Sequence, residues 1–180
     1  MNAALGKYDA AVDAALVEMD SQRIMARIWA HDHTVWKPDP TEIVNRLGWL
    51  RSPQAMGEDV PRLESLAETV RADGYTRALL LGMGGSSLAP QVFRKTFGVA
   101  DGFLDLAVLD STDPTAVLAY AEGLDLSKTL FIVATKSGGT VETLSFLKFF
   151  YNRVAQAVAE EEAGAHFVAI TDPGSRLEEL

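Results

Sequence analysis

The stretch Arg77-Ala-Leu-Leu-Leu-Gly-Met-Gly-Gly-Ser-Ser87 decides the fold, because an apolar strand-like run leads directly into a turn rich in glycine and serine. A helix-like run from Leu88 to Phe97 follows. The unpaired backbone N–H groups at the start of a helix attract anions, as does the helix dipole, and glycine leaves that backbone accessible. The stretch therefore predicts an anion-binding turn, with Gly84, Gly85 and Ser86 as candidate binding residues.

A second stretch repeats this arrangement. The apolar run Leu130-Phe-Ile-Val-Ala134 leads into Thr135-Lys-Ser-Gly-Gly-Thr140, which holds three hydroxyls, one ammonium group and two glycines. A helix cap requires fewer donors than these. Together the two loops predict a phosphate-binding site. The candidate binding residues of the second loop are Thr135, Lys136, Ser137, Gly138, Gly139 and Thr140.

Two other interpretations fit the first loop. Glycine and serine occur in many strand-to-helix turns only to turn the chain and cap the helix. The loop also matches part of a dinucleotide-binding fingerprint, with Asp110 where a ribose-binding acid would lie, although Ser87 replaces the third glycine. A nucleotide-binding P-loop fits less well, because no lysine followed by serine or threonine closes the glycine run. Neither nucleotide interpretation accounts for the second loop.

The chain from about residue 60 onward alternates helix-like and strand-like segments. We predict helices at 60–72, 88–97, 114–123 and 141–163, and strands ending at 81, 109, 134 and 170. This repetition predicts an α/β fold of three layers, in which helices cover both faces of a parallel, doubly wound, flavodoxin-like sheet. Ligands of such folds bind beyond the carboxyl ends of the strands, where both loops lie.

The N-terminal part predicts helices without strands. Apolar residues at helical spacing predict one long amphipathic helix from residue 3 to about 30. Breaks are expected at Lys37-Pro-Asp-Pro40 and at Ser52-Pro-Gln-Ala-Met-Gly57, with a short helix between them. We therefore divide the chain into an N-terminal helical extension, residues 1–58, and a ligand-binding domain, residues 59–180.

The two loops together resemble the sugar isomerase (SIS) domain of the phosphoglucose isomerase family. In that family a Gly-x-Gly-Gly-Ser turn and a Ser-Lys-Thr/Ser-x-Thr-Thr-x-Glu-Thr segment bind the sugar phosphate. Here the motifs are Gly82-Met-Gly-Gly-Ser86 and Thr135-Lys-Ser-Gly-Gly-Thr-Val-Glu-Thr143. The resemblance extends over about residues 40 to 180 and implies that residues 59–180 form a SIS-type domain.

The resemblance also implies roles for individual residues. Gly85 and Ser86 would face the sugar, while Lys136, Ser137 and Thr140 would hold the phosphate with backbone N–H groups of their loop. Thr135 and Gly139 replace the family's commoner serine and threonine, which changes the hydroxyl contacts expected there.

By resemblance, the activity of the parent protein is the reversible isomerisation of glucose 6-phosphate and fructose 6-phosphate through an enediol, a step of glycolysis and gluconeogenesis. The family's catalytic glutamate, histidine and further lysine lie in its later part, so we expect no catalytic residue in this chain, no turnover and no cofactor. Ser175 and Glu178 predict a capping box just before the last residue, from which we expect a fragment of a longer chain. Residues 27–38 and 45–50 are similar to bacterial transaldolase/phosphoglucose isomerase fusions.

Several acidic and histidine side chains are candidates for a catalytic or metal-binding role. Glu142 follows the second loop, but an acid in the first turn of a helix stabilises the helix without any catalytic role. His31, Asp32 and His33 have the spacing of metal ligands, yet no further ligand cluster lies nearby, so we expect no metal site. Thr112 or Asp113 can cap a helix that begins at Pro114, so we interpret the acids of this turn as structural rather than catalytic.

Composition limits the partners. The chain has 16 Lys and Arg against 25 Asp and Glu, a net charge of −9, and its basic residues are scattered, so we expect no nucleic-acid partner. No run approaches the roughly 18 apolar residues of a membrane span, and no secretion signal begins the chain, so we expect no membrane association. The absence of cysteine fits a reducing cytoplasm, the location that we expect.

The expected partner is thus a hexose phosphate, and a homodimer is compatible with the resemblance, because such isomerases often borrow active-site residues from a neighbouring subunit. Two alternative functions stay open. One is a non-catalytic sugar-phosphate sensor, since SIS domains also serve in transcriptional regulators, although no helix-turn-helix with a basic recognition face is evident. The other is an NAD-binding domain.

Overall fold

The computed structural model describes residues 5–179 of the chain. Its internal contacts define two units, Met1–Leu63 and Glu64–Leu180. The division at residue 58, drawn from the sequence, stays a prediction. Within the described residues, no helix is both long enough and apolar enough to cross a membrane.

The first unit contains short helices joined by turns. Its first two α-helices are α1, Asp9–Ser21, and α2, Ile24–Trp29. The prediction of one continuous helix from residue 3 to about 30 is wrong, because Arg23 adopts a left-handed conformation with φ of 52°, which separates α1 from α2. The predicted start of that helix lies outside the described residues.

Two further predictions for the N-terminal part are wrong. The segment between the two expected breaks forms 3₁₀ turns, Val44–Arg46 and Gly48–Arg51, rather than an α-helix. The second expected break, residues 52–57, is helical instead, because these residues form the first turns of α3, Ser52–Ala72. Pro53 stands in the first turn, where the missing N–H of proline has no helical acceptor to lose.

The second unit is built on one parallel sheet, as predicted. Its strands are β1, Arg77–Gly82, β2, Asp105–Leu109, β3, Thr129–Ala134, and β4, Phe167–Ile170. Their order across the sheet is β2-β1-β3-β4. The helices are α4, Gly85–Phe97, α5, Pro114–Gly123, α6, Val141–Ala157, and α7, Glu160–Ala163. The predicted three-layer α/β/α fold is confirmed.

The apolar core lies between the sheet and α5 and α6. Leu79 and Leu81 of β1 pair in register with Phe131 and Val133 of β3, and all four side chains are buried. The ring of Phe150 in α6 lies 5.1 Å from that of Phe131, centroid to centroid. Side chains alternate between the faces of a strand, so the other buried residues of β1 face the opposite layer, where α4 packs against β1 and β2.

The local signals for helix ends have mixed outcomes. Of the two predicted caps, Thr112 and Asp113, it is Asp113 that caps α5, because its carboxylate accepts from the N–H groups of Thr115 and Ala116. The helix predicted over 141–163 is wrong in its length, since extended Ala159 separates α6 from α7. The three glutamates of α7 then occupy the first turn of a new helix, where its dipole favours negative charge.

Candidate phosphate-binding site

The two predicted loops lie next to each other between β1 and β3, where the chain connections run outward to opposite edges of the sheet. From β1 the chain passes through α4 to β2 on one side, and from β3 it passes through α6 to β4 on the other. β1 and β3 are neighbours, and their last register pair is Gly82 with Ala134. The loops that follow both strands therefore begin side by side, in the crevice where open α/β sheets bind ligands.

A pocket of about 420 Å³ lies between the two loops. Its lining residues are Met83, Gly85, Ser86, Ala134, Thr135, Lys136, Ser137, Thr140 and Thr143. Six of the nine residues predicted from the sequence are in this lining. Gly84, Gly138 and Gly139 are not, and a ligand contact for any of the nine stays a prediction.

The first loop is compact because glycine permits close approaches. A Cβ atom on Gly82 would lie 3.1 Å from the carbonyl oxygen of Ala134 and 3.2 Å from Cβ of Ser86, which is tighter than an ordinary contact. Gly84 has a φ of 54°, a backbone conformation that other residues rarely adopt. Ser87 is buried, and its hydroxyl donates to the carbonyl of Gly84 at 2.9 Å. Ser87 therefore fixes the turn, whereas Ser86 faces the pocket.

The second loop brings hydroxyls together instead. The hydroxyl oxygens of Thr135 and Thr140 lie 3.2 Å apart, and the Ser137 hydroxyl accepts from the N–H of Gly139 at 3.2 Å. Thr140 is the N-cap residue of α6, yet its side chain makes no capping hydrogen bond. Capping therefore does not account for the Thr140 hydroxyl.

Both helices that begin at the pocket lack a side-chain cap. Gly84, the N-cap residue of α4, has no side chain to donate or accept, and Thr140 at α6 is turned toward Thr135. The backbone N–H groups of the first turn of a helix need acceptors from outside the helix. An anion in the pocket would supply them at α6, a 17-residue helix.

Lys136 is the single charged residue of the pocket lining. Its side chain is exposed, and its ammonium group forms no ion pair with any residue between 5 and 179. Glu142 lies in the first turn of α6 and is absent from the lining. The local charge at the pocket is therefore positive although the chain as a whole carries −9.

Thr143 is the pocket residue that sequence reasoning missed. Its side chain is fully buried, and its hydroxyl oxygen has no hydrogen-bond partner in the described part of the chain. The signal that could have found it is its spacing, because residues three apart on a helix share a face, and Thr140 is a candidate residue. Met83 lies between Gly82 and Gly84, and Ala134 pairs in register with Gly82. Both line the pocket, but neither has a polar side chain that would have predicted it.

Asp32 and His33 have local hydrogen-bond partners, whereas Nε2 of His31 is buried without a partner in the described part of the chain. Asp32 accepts from the side chains of Thr34 and Arg27, and these hydrogen bonds lower the pKa of its carboxyl group. His33 lies 3.0 Å from the carbonyl oxygen of Pro38 through Nε2. Among residues 5–179, no three potential metal-binding side chains converge.

A larger groove of about 590 Å³ lies between α6 and β4. Most of its lining is apolar, and Lys148 is its one charged residue. The groove borders the middle turns of α6 rather than a helix N-terminus, so it lacks the converging donors of the smaller pocket.

Comparison with known proteins places these features in context. The family model described as phosphoglucose isomerase matches residues 58–180. A glucose-6-phosphate isomerase of Synechococcus sp. is 35% identical over 154 residues, which cover 73% of this chain and 28% of the relative. A second, of Citrifermentans bemidjiense, is 30% identical over an alignment that covers 97% of this chain and 34% of the relative. The chain thus spans about a third of the length of these curated relatives.

Solved structures share the fold. A hypothetical protein from Thermus thermophilus superposes with a TM-score of 0.66 and 28% identity, over 92% of this chain and 35% of the other. A glucose-6-phosphate isomerase from Chlamydia trachomatis superposes with a TM-score of 0.61 and 24% identity, over 83% of this chain and 28% of the other. The second likeness concerns the fold alone.

Proposed function

Because the chain belongs to the phosphoglucose isomerase family, we propose that the pocket between β1 and β3 binds the phosphate group of a hexose phosphate. The observation that carries this proposal is that α6 begins at the pocket without a side-chain cap. At α4 the N–H groups of Ser86 and Ser87 already donate to the carbonyls of Met83 and Gly84. The start of α6, the hydroxyls and the ammonium group of Lys136, which has no ion pair among residues 5–179, all favour a compact anion.

The division of labour within the pocket follows from its chemistry. The backbone N–H groups at the start of α6 and the hydroxyls of Ser86, Ser137 and Thr140 donate to phosphate oxygens, and Lys136 adds a point charge. The net charge of the chain does not prevent binding, because charges are screened over about 8 Å at physiological ionic strength while these donors act at contact.

We further propose that the whole protein interconverts glucose 6-phosphate and fructose 6-phosphate, as the names of its relatives indicate for them. In this account the chain anchors the phosphate, so that the reacting carbons at the other end of the sugar are presented to groups outside residues 1–180. Binding energy gained at the phosphate is thereby converted into orientation of the reacting atoms. A cytoplasmic location and a homodimer remain part of the proposal.

Calorimetric titration tests the proposal. The chain, in phosphate-free buffer, is titrated in parallel with fructose 6-phosphate, with fructose and with NAD. Heat of binding from fructose 6-phosphate alone supports the phosphate pocket. Equal responses to fructose and its phosphate, a response to NAD alone, or no response at all contradict it.

A further inference from the structure

The second loop is held by the segment after β4, residues 171–177, here named the support segment, and none of these residues is in the pocket lining. The carbonyl oxygen of Lys136 accepts two hydrogen bonds from it, from the N–H of Asp172 at 3.1 Å and from the hydroxyl of Thr171 at 3.3 Å. One residue earlier, the N–H of Thr135 donates to the carbonyl of Ile170 at 3.0 Å. The main chain entering the loop is thus tied to β4 and to the residues that follow it.

Gly138 extends this contact by close packing. A Cβ atom at this position would lie 2.6 Å from the backbone nitrogen of Leu177 and 2.8 Å from that of Arg176, distances that real Cβ atoms do not tolerate. Its φ of 67° is also unfavourable for residues with a side chain. Gly138 is therefore glycine because the support segment lies directly against the loop, and this explains why it is buried rather than part of the pocket lining.

The support segment is itself fixed by two hydroxyls. The single proton of the Thr171 hydroxyl is shared between the Ser175 hydroxyl oxygen at 2.6 Å and the carbonyl oxygen of Lys136 at 3.3 Å. The Ser175 hydroxyl oxygen accepts from the N–H of Leu177 at 3.3 Å, and Glu178 accepts from the N–H of Gly174 at 2.9 Å. The predicted capping box is wrong in both bonds, because the Ser175 hydroxyl accepts from Leu177 rather than Glu178, and Glu178 accepts from Gly174 rather than Ser175.

The geometry of a trans peptide links these contacts to the pocket. In such a peptide the C=O of one residue and the N–H of the next point in opposite directions. The C=O of Lys136 points toward the support segment, so the N–H of Ser137 points away from it. Within the described residues this N–H has no acceptor, and both Lys136 and Ser137 line the pocket.

We propose that Thr171 and Ser175 are positioning residues, which orient the Lys136–Ser137 peptide so that the N–H of Ser137 faces the bound phosphate. The inference rests on the proposed phosphate pocket. Neither residue lines that pocket, and their effect on binding passes through the carbonyl of Lys136.

The test compares three variants of the full 180-residue chain. Thr171→Val removes the hydroxyl and keeps the branched shape, Thr171→Ser keeps the hydroxyl, and Thr69→Val removes a hydroxyl that donates only within α3. We expect Thr171→Val to weaken the binding of fructose 6-phosphate about tenfold, the effect of losing one hydrogen bond. Thr171→Ser restores native affinity, and Thr69→Val leaves it unchanged.

A second measurement, without ligand, separates this inference from the proposed function. Thr171→Val is expected to accelerate hydrogen exchange of the Asp172 amide, which donates to Lys136, whereas Thr171→Ser is not. If the native chain binds no fructose 6-phosphate, the proposed function fails and exchange alone decides the positioning role. If Thr171→Val does not fold, Ser175→Ala takes its place in both measurements. If the native chain binds fructose 6-phosphate, native affinity in the variant that lacks the hydroxyl overturns the inference. If the native chain does not bind it, a native exchange rate of the Asp172 amide in that variant overturns the inference.

Discussion

The two loops at the pocket begin alike, each after a buried strand and before a helix, but they do different work. The first loop packs closely against β3, because Gly82 and Gly84 have no side chains and allow the backbone to turn there. Its buried Ser87 forms a hydrogen bond within the turn. The second loop supplies charge and hydroxyls, and its main chain is hydrogen-bonded to Thr171 and Asp172, which do not line the pocket. The difference teaches that glycine-rich loops of similar composition are distinguished by the partners of their polar atoms.

The largest expected effect on binding comes from the second loop. Lys136→Ala removes the single charge of the pocket lining, and a hydrogen bond to a charged group contributes about 1.5–3 kcal/mol. We expect the Kd for fructose 6-phosphate to rise by roughly 10- to 100-fold. Because Lys136 has no ion pair within residues 5–179, the urea midpoint of unfolding is expected to stay the same. A native Kd in calorimetry would contradict the role of this loop.

A substitution in the first loop is expected to lower the free energy of unfolding. Gly82→Ala places a Cβ 3.1 Å from the carbonyl oxygen of Ala134, and such overpacking costs about 1–3 kcal/mol. The matched control is Gly85→Ala, whose Cβ would have no atom within 4 Å. Urea unfolding should show a loss for the first variant and none for the second. Equal stability of both variants would contradict the claim that the close approach to β3 requires glycine at position 82.

These differences between the loops were only partly predictable from sequence. The strands, the two glycine-rich loops and the cap before Pro114 depend on local patterns, and they were found where the sequence indicated them. The adjacency of the loops depends on the strand order β2-β1-β3-β4, and the contact of Gly138 with Leu177 joins distant segments. A local pattern carries neither fact.

The helix breaks show the same limit. Arg23 and Ala159 are not helix-breaking residue types, so the pattern of apolar residues continues through both positions although the helices stop there. Thr143 was likewise not identified, because its place in the pocket depends on where α6 begins relative to β1.

A comparison of two N-caps sharpens the account of Thr140. Asp113→Ala removes a carboxylate that accepts from two N–H groups of α5, so we expect a loss of about 1 kcal/mol in the free energy of unfolding. Binding of fructose 6-phosphate should be unchanged, since Asp113 does not line the pocket. Chemical denaturation measures the first quantity and calorimetry the second. Native stability of this variant would contradict the capping role.

Thr140→Ala should show the opposite pattern at a smaller magnitude. Its side chain makes no capping bond, so we expect the free energy of unfolding to change by less than about 0.5 kcal/mol. Loss of one donor to the phosphate should raise the Kd about fivefold, and Thr140→Ser, which keeps the hydroxyl, should bind as the native chain does. A destabilised variant with native affinity would return Thr140 to the role of a helix cap.

The central claim is that the phosphate lies between the two loops, and a residue-level NMR titration tests it most directly. Isotope-labelled chain is titrated with fructose 6-phosphate, and backbone amide shifts are followed. The account predicts the largest shifts at Gly85 and Ser86 and at residues 136–143, with the Ser137 amide among them. Shifts confined to the groove between α6 and β4, or spread evenly over the chain, would contradict it.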